Sequence, residues 1–480
     1  MPVDLNVNLM SIMPELLVTG LALLVLVLDF FIPRQSKAAL GWVSIAGLLC
    51  ILPVAAYVAD PKPIFAGSVL ADTFSAYFNV IFIIASIFTI LLSMEYLRKV
   101  NIQRGEYYHI ILFATVGMMV MGLANDLINV YVGLELMALS SYILVAYRVK
   151  SSRSVEGALK YFILGALSSG VLLYGMSFVY GAAGSTNLMD IAMTLGKGEN
   201  TFLTLGLILL AVGFGFKIAA VPFHLWTPDV YEGAPTPVTA FLSVGSKGAA
   251  FAAFLRVFIT AFPAFQPEWS SFLWMVSAAT MIFGSVVAIS QKNIVRMLAY
   301  SSIAHAGIIM IGLLVFNSIG IAGIVFYLLV YAFMNMGAFA LVAHFRFNGR
   351  YEDICDYRGL ASSRPLLAFL MALFLLSLAG IPPTGGFAAK FFVLSAAIDE
   401  KFYWLASIGV VSTAISLFFY AKVIFYMYMK EPAPGFETAP SSGLTYNIVL
   451  FITAVGTVFL GIYPTPFIDM AIKAVRPLLM

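Results

Sequence analysis

Apolar stretches long enough to cross a hydrocarbon core of about 30 Å recur from one end of this 480-residue sequence to the other. We place about fourteen by that length criterion, centred near Ala22, Gly47, Ile84, Val116, Met137, Leu167, Leu210, Phe251, Ala279, Ile308, Leu329, Leu373, Ile415 and Val455. Only 10% of the residues are charged, against about 25% in a soluble domain. A chain so short of charge cannot cover a water-facing surface. Lipid leaves backbone groups no partner outside the chain, so spans of this length must be helices. The expected class is therefore an all-α integral membrane protein with about 14 transmembrane helices.

The charges report how the chain is threaded. Under the positive-inside rule, one set of alternate loops collects Arg34, Lys37, Arg98, Lys99, Arg104, Arg148, Lys150, Arg153, Lys292, Arg296, Arg346, Arg350, Arg358, Arg364, Lys422 and Lys430. The other set holds Lys62, Lys197, Arg256, Lys401, Lys473 and Arg476. That bias puts both termini on the outer face. Met1 to Ser11 carries Asp4 and no Lys or Arg, so the first apolar run reads as a retained span, not a cleaved signal. A net charge of +3 gives no basic face for nucleic acid. The two cysteines, Cys50 and Cys355, fall short of the four thiolates an iron–sulfur cluster normally takes.

Two regions break the helical pattern. Gly213 and Gly215 precede Lys217, and Pro222, Pro228, Pro235 and Pro237 follow it. Farther on, Arg364 to Ile398 would measure about 52 Å as one helix, too long for a plain span, and its middle carries Gly380, Pro382, Pro383, Gly385 and Gly386. Interrupted helices at membrane depth persist where the freed backbone lines a cavity or is buried in protein. They recur at matching places in the repeats of transporters. These breaks fall in spans 7 and 12, which suggests two inverted five-helix repeats with broken helices. The organisation expected is 1–105 for helices 1–3, 106–262 for spans 4–8, 263–430 for spans 9–13 and 431–480 for span 14.

Four lysines, Lys160, Lys217, Lys247 and Lys390, fall inside apolar runs, as does Glu135. A lysine at a helix centre costs about 2.5–3.5 kcal/mol on insertion scales, so such residues are either paired or at work. An approaching carboxylate favours a charged amine and a retreating one lets its proton go. Glu135 and Lys217 are the expected switchable pair. For Glu135 the alternative is a locked interhelical hydrogen bond; for Lys247 and Lys390 it is an ammonium capped by backbone carbonyls at a helix break. Lys160 follows Glu156 by four residues and reads equally well as a helical ion pair. His305 lies in span ten and suits a relay, or simple packing. His224, within the Pro-rich break, is expected to order that loop. Gly165 with Ser169 reads as a helix-packing contact only. Met118, Met119 and Met121 read as lipid-facing or packing surface. Neither Gly213-Phe-Gly215 nor Gly245-Ser-Lys247-Gly has the spacing of a dinucleotide or phosphate loop.

The stretch Phe216 to Val238, which carries Lys217, Pro222, His224, Trp226, Pro228 and Asp229, resembles the hallmark of the proton-conducting, antiporter-like membrane subunits of respiratory complex I, the NADH:quinone oxidoreductase. Gly133-Leu-Glu135, Tyr300 to His305 and Gly380 to Lys390 resemble that family's other landmarks, so the likeness covers most of the chain. It is similar above all to the N-type chains: L-type chains carry a long C-terminal lateral helix, and M-type chains have a glutamate where Lys390 stands.

The resemblance implies fourteen spans and a mid-membrane proton path with Glu135 and Lys217 as input pair, Lys247 as connector, Lys390 as exit and His305 less firmly placed. It also implies no cofactor in this chain, with NADH, FMN, iron–sulfur clusters and quinone held by partner subunits. The expected partners are the other subunits of the complex, antiporter-like membrane chains among them, with lipid and protons. The expected location is the cell inner (plasma) membrane. Rival readings are a subunit of a cation/proton antiporter and a purely structural membrane scaffold.

Overall fold

The computed structural model describes residues 9–57, 63–195, 201–346, 351–432 and 443–479. Asp4, Lys62, Lys197 and Arg350, used above, lie outside the described residues. Three helices come first: α1 (Met13–Phe31), α2 (Ala38–Ala56) and α3 (Thr73–Lys99). A small hairpin of β1 (Pro63–Ile64) and β2 (Val69–Leu70) joins the last two. Then follow α4 (Glu106–Leu123), α5 (Leu127–Val145), α6 (Ser152–Ala183), the short α7 (Leu188–Thr194), α8 (Thr201–Lys217) and α9 (Trp226–Gly233). Next comes one rod, Thr236–Ala261, made of α10 (Thr236–Phe241) and α11 (Lys247–Arg256), with π-helical turns at Leu242–Ser246 and Val257–Ala261. The chain continues through α12 (Gln266–Ser290), α13 (Ile294–Val315), α14 (Ser318–Phe345), α15 (Leu360–Ser363), α16 (Pro365–Ala379), α17 (Gly385–Asp399), α18 (Tyr403–Met429), α19 (Leu444–Ile462) and α20 (Thr465–Val475).

Twelve helices among the described residues are long and apolar enough to cross a membrane. The expected seventh and twelfth spans are not among them, because each is interrupted. After α8 the chain turns through Ile218–Leu225 before α9, with Ala219 at φ 63° in the left-handed region. After α16, Gly380 at φ 85° caps the helix, its N–H donating to the carbonyls of Leu376 and Ser377. Pro382 and Pro383, which have no N–H to give a helix, follow directly. The breaks are therefore written in residues that cannot continue a helix.

Burial sorts the helices into a centre and a rim. The rod is wholly buried across its apolar window, whereas α1 is 28% buried and turns most of its surface outward. Met118, Met119 and Met121 pack inside. The packing of residues 106–262 is echoed in 263–430: α4 packs on α5 and α11 as α12 packs on α13 and α18, and α6 packs on α8 and α9 as α14 packs on α16 and α17. Asp126 caps α5 and bridges to Asn187; Asn293 caps α13 and bridges to Asp353.

One residue was misplaced by the loop assignment. Arg256 belongs to α11, is 1% exposed, and pairs in bidentate fashion with Asp72 at 2.8 and 2.9 Å. Its Nε donates to the Gly122 carbonyl at 3.0 Å. The side chain ties the first three helices to the rod.

Candidate site: a buried row of lysines

Lys217 is the last residue of α8, and a cation is favoured at a helix C-terminus. It is 3% exposed, and its amine has no hydrogen-bond partner among the described residues. The nearest aromatic face, that of Phe216, lies 5.8 Å away. The break beside it is fastened from outside: Trp226 Nε1 donates to the Phe216 carbonyl at 2.9 Å and stacks on Tyr161. Val221 N–H donates to Thr280 Oγ1 at 2.9 Å.

Glu135 is not closed onto Lys217. It is half-buried, on the stripe of α5 that also presents exposed Val132 and Leu139, and it accepts a hydrogen bond from the Ser169 hydroxyl of α6. Ser169 is thus more than a packing residue. Gly165, one turn before it, is needed where Tyr142 approaches, since a Cβ there would meet the Tyr142 hydroxyl at 2.0 Å.

Lys247 sits where the π-helical turn of the rod gives way to α11. Such turns widen a helix locally and recur at functional sites. Its amine is buried and donates to Ser302 of α13 twice, to the carbonyl at 2.8 Å and to Oγ at 2.5 Å. In the same turn, Ser243 Oγ accepts from Asn335 Nδ2 of α14 at 2.6 Å.

His305 stands one turn beyond Ser302 and is buried. Its Nδ1 lies 2.6 Å from the Tyr327 hydroxyl and its Nε2 3.3 Å from that of Tyr420, and Tyr420 in turn bonds Ser301. Lys390 of α17 reaches across the second break, donating to the carbonyls of Leu378 and Ala379 at 2.9 and 3.2 Å. These are the carbonyls that the end of α16 leaves unpaired. Gly380 fits this corner twice over, by its positive φ and because a Cβ would press on Lys390 Cδ at 2.9 Å.

Lys160 and His224 stand apart from the row. Lys160 pairs with Glu156 and Asp229, each at 2.7 Å, and Asp229 also holds Arg296 at 2.8 Å. Arg296, with Arg153, Glu232 and Glu352, borders a polar hollow of about 450 Å³. His224 is buried with its ring against Phe283. Among the described residues, no three His, Cys, Asp or Glu side chains gather as a metal would require.

Ser302, Tyr327 and Tyr420 are residues of the site that sequence reasoning missed, and Ser169 it read as packing alone. Ser302 could have been found, because it precedes His305 by three residues and so shares its helix face. Tyr420 gave no signal: it is one tyrosine in an apolar run.

Residues 124–416 match the model of the family described as NADH:quinone oxidoreductase/Mrp antiporter, TM. The chain is 44% identical to "NADH-quinone oxidoreductase subunit N" of Trichlorobacter lovleyi, over 98% of each. A chain of respiratory complex I from Thermus thermophilus superposes with a TM-score of 0.81 at 30% identity, over 96% of this chain and 99% of that one. A chain of the Mrp complex from Dietzia shares the fold, with a TM-score of 0.84 at 22% identity over 98% of each.

Proposed function

The chain belongs to the NADH:quinone oxidoreductase/Mrp antiporter membrane family, and on that premise we propose that it is a proton-translocating membrane subunit of an NADH:quinone oxidoreductase. The observation that carries this reading is the row itself. Lys217, Lys247, His305 and Lys390 are each more than nine-tenths buried, and they follow one another through the centre of a membrane protein. Amines there are hard to account for unless water or a partner reaches them. Buried polar atoms with no partner among the described residues, namely the Tyr142 hydroxyl, Thr227 Oγ1 and Lys217 Nζ, accompany the row. Groups like these are where bound waters are held.

The proton enters at Lys217. With Glu135 swung from Ser169 toward the amine, the ammonium form is favoured; with Glu135 returned to Ser169, the amine is left without its counter-charge and gives its proton onward. Lys247 receives it, Ser302 and the Tyr420–His305–Tyr327 group lie between it and Lys390, and Lys390 passes it out. The driving rearrangement comes from partner subunits, which meet the outward stripe of α5 at Glu135. NADH, FMN, iron–sulfur clusters and quinone sit in those partners, and this chain carries out no redox step.

The two interrupted segments bring the spans to fourteen, and 106–262 and 263–430 form inverted repeats, a reading supported by their matched packing and their matched Asp126 and Asn293 caps. The membrane is the cell's inner one, with both termini outside. The polar hollow beside Arg296 opens on the basic-loop side.

In sealed vesicles, Lys247→Ala lowers proton pumping strongly while the complex still assembles and oxidises NADH. Undiminished pumping removes Lys247 from the path. The shared fold with the Mrp chain keeps a cation/proton antiporter subunit as the second reading. Purification without flavin- and iron–sulfur-bearing partners would favour it.

A further inference from the structure

Glu15 lies in the first turn of α1, 8% exposed, and Asn79 lies on α3, 3% exposed. Asn79 Nδ2 donates to Glu15 Oε1 at 2.8 Å. The other oxygen of each side chain, Glu15 Oε2 and Asn79 Oδ1, has no hydrogen-bond partner among the described residues. Both residues line a cavity of about 20 Å³ together with Ser11, Asp72 and Ser75. That is room for one water.

Two of the neighbouring donors, Ser75 and Arg256, are committed elsewhere. Ser75 N–H and Oγ both bond Asp72, and Arg256 takes the two Asp72 carboxylate oxygens. Among the described residues, the charged or titratable groups facing Glu15 are Asp72, already neutralised by Arg256, and Tyr57 at the exposed end of α2. Helix α4 also packs on α1, but its titratable residues, Glu106 to His109, begin beside Asp29 at the opposite end of α1.

We propose that Glu15 and Asn79 form a proton-binding site outside the lysine row, which exchanges its proton with water at the membrane face where α1 begins. An ionised carboxylate this deep, with one side-chain donor, is poorly compensated. Protonation removes the charge and turns Oε2 into a donor. A metal cation is the weaker candidate, because hard cations take about six or more oxygens and only two here are uncommitted. The site does not rest on the pumping role: it needs only the first three helices and Asp72, which lines the cavity and is held by Arg256.

The test is infrared difference spectroscopy of the purified complex between mildly acidic and alkaline buffer. Wild type minus Glu15→Gln should show one protonated-carboxyl band, present in acid, reduced at least severalfold in alkali, and unmoved by added sodium. Asn79→Leu removes the donor that stabilises the ionised form, so in that variant the band persists in alkali. It also serves as an independent probe if Glu15→Gln assembles poorly. The proposal is overturned if no such band is found, if the band is insensitive to pH, or if sodium suppresses it.

Discussion

Lys247 holds Ser302 by two hydrogen bonds, one to its carbonyl at 2.8 Å and one to its hydroxyl at 2.5 Å. The contact joins the buried rod to α13. The carbonyl bond would survive in Ser302→Ala and the hydroxyl bond would not. A hydrogen bond to a charged group is worth about 1.5–3 kcal/mol. We expect Ser302→Ala to weaken proton transfer through Lys247 without abolishing it, read as fewer protons pumped per NADH in sealed vesicles. Pumping as low as in Lys247→Ala would mean that the hydroxyl is as necessary to the path as the amine.

Lys390 poses a different problem, because its partners are the carbonyls at the end of α16. A cation at a helix C-terminus contributes about 0.3–2 kcal/mol. Lys390→Met should therefore loosen that end, seen as faster amide exchange around Gly380, and should also stop pumping. Lys390→Arg should keep the end ordered, since it retains the charge and the donors, while pumping falls because arginine does not deprotonate. If Lys390→Arg pumps normally, the residue is a helix cap and nothing else.

Arg256 and Asp72 form an ion pair in which each side chain is 1% exposed. Removing one partner of such a pair leaves an uncompensated charge and costs about 3–5 kcal/mol. Arg256→Ala should lower the yield and melting temperature of the assembled complex, with the protons pumped per NADH unchanged in the fraction that assembles. A pumping defect in well-assembled complex would place the pair in the path.

Lys160 should matter little to stability. Its pairs with Glu156 and Asp229 are partly exposed, and pairs of that kind are typically worth about 0–1 kcal/mol. Lys160→Ala should leave the melting temperature within a few degrees of wild type. A larger drop would show that the charges around the polar hollow act as one network.

What the sequence disclosed follows from how local each signal is. Lys217, Lys247 and Lys390 stand out because a charge in an apolar run is costly wherever the run ends up. The two breaks stand out because Pro222, Pro382 and Pro383 cannot continue a helix whatever packs on them. Arg256 was assigned to a loop because it comes near the end of its run, and only the fold brings Asp72 to it. The partner of Glu135 was equally out of reach. Lys217 and Ser169 both lie on helices near it, and choosing between them takes the packing of α5, α6 and α8. Tyr420 joins His305 across 115 residues of sequence, a distance over which no spacing rule reaches.

If Lys217, Lys247 and Lys390 share one hydrated seam at mid-membrane, a high-resolution structure of the assembled, membrane-embedded complex with ordered waters resolved will reveal it. The expected result is a thread of waters running from the Lys217 amine past Lys247 and the Tyr420–His305 group to Lys390, reaching one membrane face at each end. Dry, well-packed surroundings at all three amines would contradict it.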